Sequence, residues 1–469
     1  MLRGTRRLAG IAMVLAVSMV AMSGSASAAQ DRFKVTWMPG FRAAQTPARY
    51  DKVGVIKVGS AKARNVLVLE PGTSAGSAYF VPLAQWIVSR EKGWQVWSVE
   101  RRENLLENQT VLDQAKRGQI SATQLFDYYL GYLTNPSITN HYHPVVDSTV
   151  EFAKQWGMKV AVNDLHDVIE RATRLGGKVV LGGHSLGGSV VTAYATWDFN
   201  GRPGAADLAG LVYDDGGSFS KTESAADARS ALASLDQPMT TPWLAFGGVP
   251  APDLGLFSAT GSTAAVIDPD GLSAGQASGL LTPFGLAPPV PVTNLAQYGY
   301  AQNVGTSPAA LVAAQAHLGK GLTATGDPRG WNSAGALTPI KRFADMFSGA
   351  DVSNADGTEW YFPARLTLDT EAVGNGTGGA SQKVLGLKST MGRKLPKSLR
   401  IYGFGAALGG EIILNAAKQL ARQSHIPTSH LTLINRHSTY AHNDPAAPYP
   451  HNVFFSHLVS FLAAVAKQA

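Results

Sequence analysis

The run Val179-Val180-Leu181-Gly182-Gly183-His184-Ser185-Leu186-Gly187-Gly188-Ser189-Val190-Val191 constrains this chain more than any other stretch. An apolar strand enters Gly-x-Ser-x-Gly, and a helical pattern begins at once. The backbone must pass from strand to helix at a single residue, which holds that residue in a strained conformation. Gly183 and Gly187 are small, so strand and helix can approach closely around the turn. The turn lifts the Ser185 hydroxyl clear of the sheet at a helix N-terminus, where unpaired N–H groups and the helix dipole favour negative charge. In a chain with 50 glycines the pattern alone is weak. The strand before it and the helix after it supply the context it requires.

The surroundings fit that context. Short apolar runs alternate with helical patterns in two blocks. The first block has strands at 53–58, 65–69 and 94–99, a helix at 77–89, and one or two helices over 146–175 broken near Gly157. It continues with a strand at 178–181, a helix at 186–197 and a strand at 208–213. The second block has strands at 399–404 and 430–435, a helix at 411–422 and a closing amphipathic helix at 452–467. Strand–helix alternation predicts a mostly parallel sheet with helices on both faces. Between the blocks, 216–396 is rich in Gly, Pro, Ala and Thr, with short helical patches at 308–317 and 339–347. Structureless loops of that length do not occur in compact domains. The stretch therefore reads as a cap inserted over the carboxyl edge of the sheet, with the core divided into 29–215 and 397–469.

At the Gly-His-Ser-Leu-Gly-Gly run the chain resembles the α/β-hydrolase superfamily in its lipase/esterase-like branch, over roughly 53–217 and 395–469. The inserted stretch would correspond to that family's variable cap. The resemblance implies an α/β-hydrolase fold and a serine nucleophile at Ser185. It speaks less to substrate, since the fold hosts esterases, lipases, amidases, lyases and dehalogenases.

A serine hydroxyl needs a base within hydrogen-bond reach and an acid to orient that base. The family order is Ser, then Asp or Glu, then His, with the His after the last strand. His437 and His442 fall in the loop that follows the strand 430–435, ahead of the closing helix. Tyr440-Ala441-His442-Asn443-Asp444-Pro445 looks like the family's His-x-Asp-Pro stretch, so the resemblance implies His442 as base, with His437 in reserve. His184 lies on the wrong side of the turn and takes a structural slot. Two places are open for the acid. One is the end of the strand after the elbow helix, with Asp214 and Asp215. The other is the loop 403–411, where the family usually puts it and where Glu411 is the only carboxylate. Asp215 is preferred, with Glu411 the alternative. By family analogy the oxyanion donors are the N–H of Leu186 and one from Pro71-Gly72-Thr73, with Thr73 or Gly72 set by position.

Composition narrows the partners. Basic residues number 40 against 33 acidic, a net charge of +7, and without Arg3, Arg6 and Arg7 the balance is 37 against 33. That predicts no nucleic-acid partner. There is no cysteine, hence no disulfide, thiolate nucleophile or cysteine metal site. His141-Tyr142-His143 lacks a third ligand at metal-site spacing, and Leu318–Leu322 lacks the Gly-Lys-Ser/Thr of a phosphate loop. No metal or cofactor is expected. Residues 1–28 read as an export signal: basic Arg3, Arg6 and Arg7, an apolar run at 11–22, and Ala26-Ser27-Ala28 as cleavage site. The mature chain is then expected to be secreted or periplasmic, with no stable membrane span. Ten cap aromatics (Trp243, Phe246, Phe257, Phe284, Trp331, Phe343, Phe347, Trp360, Tyr361 and Phe362) are available to line an apolar pocket or to form the cap's own core. The leading expectation is an ester hydrolase acting on a small-molecule or lipid-like ester. An acyltransferase or amidase on the same residues and a non-catalytic binding protein are the alternatives.

Overall fold

The computed structural model describes residues 32–218 and 222–468. The leader expected at 1–28 lies outside the described residues. Eight strands form the central sheet: β1 (Thr36–Pro39), β2 (Lys52–Val58), β3 (Asn65–Glu70), β4 (Trp94–Glu100), β5 (Val179–His184), β6 (Gly210–Asp214), β7 (Arg400–Gly405) and β8 (Leu431–Asn435). Their order is β8-β7-β6-β5-β3-β4-β2-β1. The six strands from β8 to β4 run parallel, and β2 is antiparallel to both β4 and β1. The edge strand β1 has no counterpart in the sequence reading. It has four residues and buries one of them, too little for a periodic signal.

The principal helices are α1 (Val81–Arg90), α2 (Met158–Thr173), α3 (Leu186–Thr196), α4 (Ala251–Ile267), α5 (Asn294–Gln302), α6 (Ile340–Ser348), α7 (Ala364–Val373), α8 (Gly410–Gln423) and α9 (Val453–Ala466). The break expected near Gly157 is the start of α2, and Asn452 caps α9 by accepting the Phe455 N–H at 2.7 Å.

Alternation along the strands builds two cores. Val66, Val68, Leu181, Leu211 and Ile401 pack with α2, α3, α7 and α8 on one face. Leu67, Leu69, Val180, Val212, Tyr402 and Phe404 pack with α1, α6 and α9 on the other. Burial on both faces is why these strands read as nearly continuous apolar runs. This is the α/β-hydrolase fold, with helices on both sides of a mostly parallel sheet.

The inserted stretch 216–396 divides between two places. Ala228, Leu366, Val373, Leu385 and Leu387 join the core of α2 and α3. The middle part folds over the carboxyl edge of the sheet. There α4 packs on α5, α6 and the helix Ala122–Tyr129, so the lid also draws on the chain that follows β4. Phe126, Tyr129, Trp156, Trp243, Leu256 and Trp360 form its core. The lid leaves and re-enters through a narrow neck. Trp243 bridges Pro363 antiparallel, Leu244 N–H donates to the Phe362 carbonyl at 2.9 Å, and Ala364 N–H donates to that of Pro242 at 2.8 Å.

Parallel register sets the strand ends side by side: Glu70 beside Gly183, His184 beside Asp214, Asp214 beside Phe404, and Gly405 beside Asn435. Gly187 keeps α3 against this edge, since a Cβ there would strike the Glu70 and Pro71 carbonyls. Gly187→Ala should lower stability by about 1–3 kcal/mol, read from the urea midpoint of unfolding. An unchanged midpoint would mean that helix and strand can part without cost.

Candidate active site

Ser185 sits between β5 and α3 with φ 55° and ψ −128°. Its N–H donates to the Asp214 carbonyl at 3.1 Å, and its own carbonyl accepts from Gly188 N–H at 2.9 Å. A side-chain-bearing residue with positive φ costs about 1–3 kcal/mol unless its surroundings over-determine it. Eight non-glycine residues among those described have positive φ, and three of them, Ser74, Ser185 and Asp215, gather here. Strain is thus concentrated at this edge of the sheet.

Asp215 follows β6. Its Oδ1 accepts from the N–H groups of Ala406 (2.6 Å), Gly409 (2.9 Å) and Gly410 (3.3 Å), and its Oδ2 from that of Leu408 (3.1 Å). The loop between β7 and α8 is therefore an anion nest closed around one carboxylate. The Oδ2 also lies 2.7 Å from His442 Nδ1, with both side chains buried. Burial opposes the charge on Asp215, but His442 and the Ala406 N–H outweigh it and hold the carboxyl below its ordinary range.

Glu411, the alternative acid, is elsewhere. It accepts from Asn435 Nδ2 at 3.2 Å in an exposed pair. The loop that carries it supplies backbone donors to Asp215 in place of a carboxylate of its own. Asp214 is buried and neither of its carboxyl oxygens has a partner. Burial, reinforced by the neighbouring Asp215, drives its pKa well up. His437 is exposed, with Nδ1 2.9 Å from Asn435 Oδ1.

His184 holds His442 from behind. Its Nε2 donates to the His442 carbonyl at 3.0 Å, and its ring lies 4.4 Å from that of His442 and 5.2 Å from that of Tyr79. Burial, aided by the proximity of His442, pushes its pKa down to about 3, so it remains neutral. The Tyr79 hydroxyl donates to Asn443 Oδ1 at 3.0 Å, and Asn443 Nδ2 donates to the Ala313 carbonyl at 2.9 Å. Asp444, also buried, accepts from His317 N–H (3.0 Å), Thr338 Oγ1 (2.6 Å) and Ala441 N–H (2.7 Å), and its Oδ2 lies 2.5 Å from His317 Nδ1. The loop bearing His442 is thereby fastened to the lid through the two residues that follow the imidazole, Asn443 and Asp444.

Ser185, His442, Gly72 and Thr73 open onto one cavity of about 350 Å³. Its walls include Phe126, Leu130, Phe246, Phe257, Leu286 and Tyr298. Of the ten cap aromatics, Phe246, Phe257 and Phe347 line it. Trp243, Phe343, Trp360, Tyr361 and Phe362 are buried in the packed cores, and Trp331 is half-buried against one of them. Phe284 is exposed. Phe126 and Leu130 were not expected here, because they precede the inserted stretch. Leu186 is the first residue of α3, so its N–H has no partner within the helix. Thr73 follows β3, on the far side of β5 from Asp215.

Sequence reasoning also missed Arg101. It is buried at the end of β4 and pairs with Glu70 at 2.9 Å and with Glu359. Burial pushes Glu70 up to about 7 even against the neighbouring guanidinium. The charged run Glu100-Arg101-Arg102-Glu103, directly after an apolar strand in a chain with only 16% charged residues, was the available signal. Among the described residues no cluster of side chains could hold a metal ion, and no helix is long and apolar enough to cross a membrane.

No family model and no curated protein sequence matches the chain. Solved structures similar to it include a thermostable carboxyl esterase from Bacillus coagulans, at 12% identity over 92% of this chain and 99% of that one, with a TM-score of 0.41. A thermophilic esterase from Thermogutta terrifontis is 12% identical over 92% and 99%, with a TM-score of 0.38. A monoglyceride lipase from Saccharomyces cerevisiae is 10% identical over 92% and 96%, with a TM-score of 0.35. The fold assignment itself rests on strand order and the elbow, and any chemistry on the side chains.

The His317–Asp444 contact gives a pH test of the fastening. The hydrogen bond to Asp444 raises the His317 pKa, burial opposes the rise, and the carboxylate's charge adds to it. The stabilisation is then fully present below about 6.5, the ordinary histidine value, and is lost as pH rises through the higher folded value. The melting-temperature gap between the wild type and His317→Asn should be wider at low pH than at high pH. A gap independent of pH would mean that the contact carries no charge.

Proposed function

We propose that the chain is a serine hydrolase that cleaves carboxylic esters with an apolar acyl part, and that it works after export from the cell. The observation that carries this reading is the buried 2.7 Å contact of Asp215 with His442 at the wall of an apolar cavity that Ser185 shares. Export is supported only by the leader-like residues 1–28.

In this reading the ester carbonyl lies over Ser185 with its acyl chain among the aromatic and aliphatic walls. His442 takes the proton of Ser185 Oγ at Nε2 as the oxygen attacks. Asp215 holds Nδ1–H, which fixes the tautomer and stabilises the imidazolium. The tetrahedral oxyanion accepts from the N–H groups of Leu186 and Thr73, and charge developing there is where preorganised donors lower the barrier most. Collapse expels the alcohol, which takes the proton from His442. Water, activated by the same imidazole, then attacks the acyl-enzyme and releases the acid.

A fluorophosphonate probe should label the wild type and leave Ser185→Ala unlabelled, with kcat for p-nitrophenyl esters lowered about 10⁴–10⁶-fold. Asp215→Asn should lower kcat by about 10⁴, while Glu411→Gln should match the wild type. Retention of a tenth of the activity in Ser185→Ala would overturn the reading. Across a panel of acyl lengths, kcat/KM should rise from acetyl to medium chains. Product formation that requires an added alcohol would favour the acyltransferase alternative.

A further inference from the structure

Resting on the hydrolase reading above, we propose that Arg101 is the positioning residue of the oxyanion site: it grips the carbonyls of the loop after β3 and so aims the opposite face of that loop, the Gly72 and Thr73 N–H groups, at the reacting carbonyl.

The grip is complete. Nη1 donates to the Pro71 carbonyl at 3.0 Å, and Nη2 to those of Gly72 at 2.9 Å and Ala75 at 3.0 Å. Nη1 also holds Glu70 at 2.9 Å, and Nε holds Glu359 at 3.0 Å. A guanidinium has five N–H donors in a fixed fork, and this set engages all three nitrogens.

Peptide geometry converts the grip into direction. In a trans peptide each N–H points opposite to the preceding carbonyl. With the Pro71 and Gly72 carbonyls turned to Arg101, the Gly72 and Thr73 N–H groups turn away from it. What lies on that side is the cavity. Gly72, Thr73 and Ser185 line it, and Arg101 does not. The approach to the elbow is close, because a Cβ on Gly72 would fall 2.9 Å from Ser185 Cβ.

The two carboxylates come from different parts of the chain. Glu70 ends β3, and Glu359 ends the lid. Glu359 N–H also donates to the Ser74 carbonyl at 3.0 Å, and Ala75 bridges Thr358. Arg101 therefore couples the lid to the aim of the loop from outside the lining of the cavity.

The test compares wild type with Arg101→Lys on p-nitrophenyl butyrate. An ammonium keeps the charge but has three donors on a single nitrogen and cannot span three carbonyls and two carboxylates. Expected is a fall in kcat of about ten- to a hundredfold, with KM within about threefold, the pattern for lost transition-state stabilisation. The inhibition constant of butylboronic acid, whose serine adduct is tetrahedral, should rise by the same factor as kcat/KM falls. Rates are referred to sites titrated with fluorophosphonate. A kcat per titrated site equal to that of the wild type would overturn the proposal and leave Arg101 a purely structural residue.

If Arg101→Lys does not fold, the crystal structure of the phosphonylated wild type decides. A phosphoryl oxygen accepting from Leu186 and from Gly72 or Thr73, with Arg101 on the three carbonyls, supports the proposal. That oxygen held by other groups, or Arg101 released from the loop, overturns it. A wild type that neither labels at Ser185 nor hydrolyses esters removes the hydrolase reading instead, and this inference with it.

Discussion

The carboxylate of Asp215 accepts four backbone N–H groups from one loop and faces one imidazole from another, and the arrangement of the strand ends follows from keeping that buried charge satisfied. An uncompensated buried carboxylate costs several kcal/mol. Here the compensation comes from the turn between β7 and α8, which lies close because β6 and β7 are neighbours in parallel register. Asp214, one residue earlier, shows the other situation open to a buried carboxyl group: neither oxygen finds a partner, and burial drives its pKa well up. Two adjacent aspartates thus have their pKa values pushed in opposite directions, because one reaches the nest and the other finds no partner.

Much of this was legible in the residues. Parallel strands buried on both faces leave apolar runs with sharp ends, so β3 and β7 could be located within a residue, while β5 runs three residues past its apolar part through Gly182-Gly183-His184. The elbow was legible because strand, small residues and helix follow one another without a loop. The choice between Asp215 and Glu411 was not. It depends on which loop turns its N–H groups inward, and backbone direction leaves no mark in the sequence. His442 and His437 differ in the same way: both lie in one loop, but only the first is gripped from behind by His184 and fastened beside the lid by Asn443 and Asp444.

The lid was the least legible part. Helix α4 is 17 residues long and has no apolar stripe, because Ala, Gly, Ser and Thr surround it and other helices pack on several sides. Periodicity arises from a boundary between water and core, and a helix buried in a small-residue interface has no such boundary. The lid also recruits the chain after β4, including Phe126 and Tyr129, which composition gave no reason to group with residues more than a hundred positions away.

The neck between Trp243 and Pro363 carries a consequence for how such a protein changes over time. The core meets the lid as two antiparallel chain ends already in hydrogen-bonding contact. Whatever joins them need only begin and end at one point, so its length is nearly free: doubling a flexible connection adds only about 0.6 kcal/mol of closure entropy. The segment between the two ends of the neck is thus free to vary in length, while Phe126 and Leu130, which also wall the cavity, stay with the core. The stitches of Glu359 to Arg101 and of His317 to Asp444 mark where a replacement lid would have to be fitted to the old core.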